Sequence, residues 1–146
     1  MADLKITRGA QWPLMAEFTL NFDDTMNNTS GASKDFGKTI VAETNSFDII
    51  NLPYGAVIVG GDVVTETVFD TAGWDITVGD STTADRYLSA TDRKAAGRTA
   101  LVPTGYVSDG APIRISVQCD DACTTGKATI RVLYTIRNRV NEVQPN

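Results

Sequence analysis

A chain of 146 residues and 15.7 kDa fits one domain, large enough to bury about 70% of its unfolded surface without a metal or a set of disulfides. Its formal net charge of -5, with no basic run, argues against bulk attraction to nucleic acid, and no apolar stretch approaches the roughly 20 residues of a membrane helix. Histidine is absent, so the side chain best suited to proton transfer near neutral pH is missing, and a Ser-His-Asp or Cys-His arrangement cannot be built.

Val, Ile and Thr make up over a quarter of the residues. They lose side-chain freedom in helices and pack well on pleated surfaces, which predicts an all-β chain. Residues 1–15 show no sustained period, lack the apolar core of a signal peptide and contain the Trp12-Pro13 step, which favours extended backbone. They read as an extended N-terminal arm. Phe18, Leu20 and Phe22 then alternate with Glu17, Thr19 and Asn21 to give a first strand. Residues 23–38, rich in Asn, Asp, Ser and Gly, read as a long loop, and loops of that length are functional or disordered. Two short strands are predicted at residues 39–43 and 47–52, closed by the turn-forming Leu52-Pro53-Tyr54-Gly55.

The centre of the chain is residues 52–80. Residues 56–60 are continuously apolar, as in a strand buried on both faces. Beyond Gly60-Gly61, Val64, Glu66, Val68 and Asp70 alternate with Val63, Thr65, Thr67 and Phe69. Glycine inside a strand marks a bulge or bend, so the pair predicts one long strand turning between two packed sheets. Asp70 and Gly73 suit the first and last positions of a type I turn, with Trp74, Ile76 and Val78 on the returning strand. Tyr87-Leu88 and residues 99–102 read as strands. Residues 90–97 between them read as one helical turn capped by Thr91 and ended by Gly97. Ile113, Ile115 and Val117, then Ile130, Val132, Tyr134 and Ile136, read as an antiparallel hairpin joined by residues 119–127, with Arg114, Arg131 and Arg137 on its outer face. The expected fold is an all-β, two-sheet β-sandwich, jelly-roll-like, of about eight strands. Residues 1–15 form the arm, 16–138 the sandwich and 139–146 a C-terminal tail.

Little here suggests catalysis. Asp23-Asp24, Asp80 with Asp85, and Asp120-Asp121 sit in turn-rich segments, where Asp is favoured for bonding the backbone. A Ca²⁺ ion in one of these loops is the alternative, since Ca²⁺ takes carboxylate and carbonyl oxygens, but no EF-hand spacing is present, and no metal and no cofactor is expected. Cys119 and Cys123 cannot complete a four-ligand zinc site. They are free thiols, a local disulfide or contacts at a subunit junction, and free thiols suit a protein made in the cytoplasm. Val59-Gly60-Gly61-Asp62 lacks the Gly-Lys-Ser/Thr ending of a phosphate loop. Trp12, Tyr54 and Trp74 could stack on a sugar or base, but a core or interface role is commoner for such rings.

Three phrases carry a family resemblance: LPYGAVIVGGDVVTETVFD at 52–70, TVGDSTTADRYLSATDRKAAGRTAL at 77–101 and GKATIRVLYTIRNRVNE at 126–142. Over residues 47–140 the chain resembles small tailed-phage virion proteins, head decoration (capsid cement) proteins among them. The resemblance implies a jelly-roll virion protein, often trimeric, that sits on the outer capsid surface, bridges neighbouring major capsid proteins and performs no catalysis. No nucleic-acid or membrane partner is expected. Capsid contact is expected from the arm and the long loop, with Leu4, Ile6, Arg8, Trp12, Asp35 and Phe36 as candidates. The alternatives are a fibre, base or glycan-binding receptor module of the same virion and, more remotely, an enzyme.

Overall fold

The computed structural model describes residues 13–137. Among them there is no helix, and ten strands form three sheets. The strands are β1 (Leu14–Asn21), β2 (Thr25–Asn27), β3 (Ser33–Asp35), β4 (Thr44–Ile50), β5 (Ala56–Thr67), β6 (Trp74–Gly79), β7 (Leu88–Asp92), β8 (Gly97–Ala100), β9 (Ile113–Cys119) and β10 (Lys127–Ile136). One four-stranded sheet runs β1-β10-β5-β8, a second runs β4-β9-β6-β7, and β2 and β3 form a separate small hairpin. All pairings are antiparallel. Setting the small hairpin aside, only β6 and β7 are consecutive and paired; every other connection carries the chain from one sheet to the other. That path, eight strands in two interleaved Greek keys, is a jelly roll.

The core lies between the sheets. Inward residues of the central strands, Ile113, Ile115, Val117, Ile130 and Val132, are fully buried, as the period-two pattern requires. Four aromatic rings fill the space beyond them. Phe69 stacks on Trp74 at 4.0 Å and Phe36 packs on Phe47 at 4.6 Å. The Trp74 Nε1–H donates to the Phe36 carbonyl at 2.8 Å, so the one polar atom of that ring is satisfied inside the core.

Several sequence-based expectations are corrected. Gly60-Gly61 does not turn a strand between sheets. β5 stays in one sheet, with its extra residue at Val59 opposite the Leu133-Tyr134 step as a bulge. Gly61 (φ +133°) is needed because a Cβ there would collide with the Arg131 carbonyl oxygen. The connections at residues 68–73 and 120–126 are not hairpin turns: β5 and β6, like β9 and β10, lie in opposite sheets. Six or seven residues suffice to cross the roughly 10 Å between layers, and local turn chemistry at Asp70 and Gly73 is blind to which sheet comes next. Residues 90–97 form no helical turn but the end of β7 and the approach to β8. Residues 39–43 are irregular, and the strand predicted there begins at Thr44. Leu14 and Met15, assigned to the arm, belong to β1. The tail at 139–146 lies outside the described residues.

Candidate interaction surface

The outer face of the β1-β10-β5-β8 sheet carries a row of alternating charge. Glu17 on β1 is the register partner of Arg131 on β10, and Arg131 of Asp62 on β5. The Arg131 guanidinium donates to both Asp62 oxygens, at 2.7 and 2.8 Å, and Arg98 Nε adds a third bond at 2.5 Å. Those arginines cover Asp62, which is only 5% exposed, and the bond from Arg131 above all holds its carboxyl below the ordinary range despite the burial. Arg131 therefore does face outward as predicted. Arg114 lies on the outer face of the other sheet, bonded to Asp48 at 2.7 and 3.1 Å. That second face is short and polar: Ser46 meets Ser116 at 2.8 Å, and Thr44 donates to Gln118 at 3.1 Å.

The long predicted loop is ordered as the β2–β3 hairpin and a return segment. Asn28 organises its tip, its side-chain oxygen accepting from Ser30 and Ala32. Asp35 is buried, which works against its charge, but the Thr39 hydroxyl and the N–H groups of Thr39 and Gly37 bond its carboxylate and bring its pKa below the ordinary value. Phe36 is 1% exposed and touches Phe18 and Phe47. Neither candidate contact from this loop is therefore available to a partner: Asp35 is a turn anchor and Phe36 is core. Period counting missed this because the flanking Asn, Ser and Gly hide a single anchoring aromatic.

Cys119 and Cys123 are free and buried, so the disulfide is not formed in this structure. Both sulfurs pack on Gly37, whose place a Cβ would crowd at 3.1 and 3.3 Å, and Cys123 N–H donates to the Gly37 carbonyl at 2.8 Å. Burial pushes both thiols up and keeps them protonated and inert. They staple the return segment to the end of β9 by packing and by hydrogen bonds to the Gly37 and Phe36 carbonyls, without a covalent link. Among the described residues no group of three or more His, Cys, Asp or Glu side chains is placed to hold a metal ion. Trp74 is wholly buried, Tyr106 lies beneath the Arg86 guanidinium at 3.6 Å, and Tyr54 is 80% exposed. Leu4, Ile6, Arg8 and Trp12 lie outside the described residues.

Leu14 pairs with Tyr134, so the described residues begin and end on neighbouring strands at one end of the sandwich. The hairpin follows Asn21 at the far end of β1, roughly 23 Å away at 3.3 Å per residue. The hairpin borders the side of the sandwich where β1 and β4 are the edge strands, with Thr29 N–H donating to the Ser46 carbonyl at 2.9 Å. Phe36 packs edge-on against Phe18 on that side; Leu20 is fully buried, whereas Leu14, Ala16 and Phe18 remain half-buried.

The strand path defines the class, an eight-stranded jelly roll, and solved structures of the same class come from phage heads. A chain of the cyanophage Pam1 capsid asymmetric unit aligns with a TM-score of 0.59 at 18% identity, covering 85% of this chain and 84% of that one. A chain of the acid-stable capsid of Helicobacter pylori bacteriophage KHP30 gives 0.54 at 16% identity, with 92% and 98% covered. One from the capsid of Ralstonia phage GP4 gives 0.56 at 12% identity, with 89% and 87% covered. At such identities the likeness is one of fold. No protein-family model and no curated protein matches the sequence.

Proposed function

We propose that this chain is a bacteriophage head decoration, or cement, protein: a homotrimer on the outer surface of the virion that bridges neighbouring major capsid proteins and stabilises the shell. The observation that carries this reading is the jelly-roll path shared with three phage-capsid chains over 84–98% of their length, so that each of those chains is about as long as this one. The expected work is mechanical, with no cofactor and no substrate. A ligand that binds only the assembled shell raises its resistance to opening by mass action. Joining three copies raises effective concentration, so that weak single contacts become durable. Contacts with neighbouring subunits of the shell are assigned to the segment bearing Leu4, Ile6, Arg8 and Trp12 and to the exposed hairpin tip around Thr29 and Ser30.

The test is deletion of residues 1–12, which leaves Pro13 and all of β1 in place. The shortened protein is expected to keep its β circular dichroism and to lose occupancy on purified heads lacking the protein. Unchanged occupancy refutes the assignment. A receptor-binding module needs a concave aromatic-lined site. Among the described residues the exposed aromatic Tyr54 stands on a turn, and Trp74 is in the core, which favours the cement reading.

A further inference from the structure

The edges of the two sheets are unequally protected. β8 has four residues, the pairing of β7 is irregular, and β4 carries a register shift after Asp48 while its Ser46 carbonyl is taken by Thr29 N–H at 2.9 Å. β1 has such a device only at its last residue, where the Asp24 carboxylate takes the Asn21 N–H at 2.7 Å and the Asp24 N–H donates to the Asn21 carbonyl at 3.2 Å. It pairs with β10 over eight consecutive residues without a shift, contains no Pro or Lys, and among the described residues has no strand on its other side. Natural sheets normally blunt such an edge, because its free N–H and C=O groups template another strand. The core is open at the same place: Leu14, Ala16 and Phe18 point inward yet stay half-exposed, whereas Leu20 is sealed. An added strand of about five residues would satisfy the edge and cover those three side chains.

We propose that residues 4–8 of a second copy of this chain supply that strand, antiparallel to β1. Lys5 placed opposite Glu17 puts Ile6 opposite Ala16 and Leu4 opposite Phe18, apolar on apolar on the inner face, and Arg8 opposite Leu14 at the end of the sheet, where its alkyl stem covers Leu14 and its guanidinium reaches solvent. On the outer face Lys5 extends the alternating row Glu17, Arg131, Asp62 by one more charge of the correct sign. The donor is a neighbouring copy because the Trp12-Pro13 step favours extended backbone leading directly into β1, against the reversal that self-pairing needs. A head-to-tail exchange closes a ring of three where successive copies are related by a third of a turn, the arrangement taken here, and main-chain bonds supply affinity while alternate side chains set register. It narrows the proposed function by giving Leu4 and Ile6 a copy of this chain as partner, and leaves Trp12 and the hairpin tip for the shell. It does not require that a capsid be bound.

The experiment uses the full-length protein in solution, without capsids. Equal amounts of unlabelled and ¹⁵N-labelled chain are co-refolded and treated with a carbodiimide, which joins an amine to a carboxylate with no spacer, and the linked peptides are read by mass spectrometry. The expected result is a Lys5–Glu17 link, half of it between chains of different label, that disappears in Glu17→Gln, together with a trimer by light scattering that Ile6→Asp converts to monomer with unchanged circular dichroism. A link found only within one chain, no link at all, or a trimer indifferent to Ile6→Asp overturns the proposal. Loss of capsid binding with the exchange intact, or the reverse, separates this inference from the cement reading.

Discussion

Phe36→Ala separates a core role from a contact role at the residue whose sequence neighbourhood looked most like a binding loop. The ring is 1% exposed, so its removal uncovers or voids on the order of 150–200 Å² of apolar contact, worth about 4–5 kcal/mol at ~25 cal/mol per Å². Measured Phe→Ala substitutions in cores cost about 3–5 kcal/mol, which agrees. The upper part of that range is expected here, because Phe18 and Phe47 lose their neighbour and the carbonyl that receives Trp74 Nε1–H loses its anchor. With an unfolding entropy of about 2.1 cal/mol/K per residue, a chain of 146 residues has roughly 0.3 kcal/mol/K, so Tm should fall by about 13–16 °C. Urea denaturation followed by tryptophan fluorescence reads this directly, since Trp74 sits within the affected cluster. A variant destabilised by less than about 1 kcal/mol, yet unable to occupy capsids, would show that Phe36 is a contact and that its burial is misplaced.

Gly61→Ala should destabilise by about 2 kcal/mol or more, because the new methyl meets the Arg131 carbonyl and the backbone is left-handed there; a midpoint shift near zero in urea would show that β10 yields easily. Stability should be flat through neutral pH and fall below about pH 4. Asp70, held by the Thr124 hydroxyl and the Thr125 and Thr124 amides, is down to about 2, and Asp35, Asp62 and Asp80 are lowered, so each contributes stability above its unfolded pKa that is lost as pH drops through its folded one. Asp75 works the other way, raised by burial and by Asp92 and Asp120, so urea midpoints that climb on acidification would mean that this group dominates. Iodoacetamide should leave the native thiols untouched and modify both Cys119 and Cys123 in denaturant without reductant; an unmodified pair in denaturant would reveal a disulfide.

The all-β class and the inner faces of β1, β9 and β10 were legible, because burial on one side of a strand writes a period of two into the chain. Residues such as Ile113, Ile115 and Ile130, Val132 were read correctly for that reason. The partner of each strand was not legible. Which sheet a strand joins depends on long-range pairing, and the Asp70–Gly73 and Cys119–Lys127 segments carry the same turn residues whether they close a hairpin or cross a sandwich. Asp35 and Phe36 failed for a related reason: an isolated buried residue in a polar segment has no period to betray it. The open edge of β1 was invisible too, since being last in a sheet is a property of the topology and leaves no mark on the strand itself.

Leu14 and Ile136 lie at the same end of neighbouring strands, and that arrangement sets how the body answers a pull. If both ends are tethered to a shell, an outward tug drags β1 and β10 in one direction together, so the seam between them is not unzipped. The strain passes to the seam between β10 and β5, where ten residue pairs, broken by two register shifts, are loaded side by side.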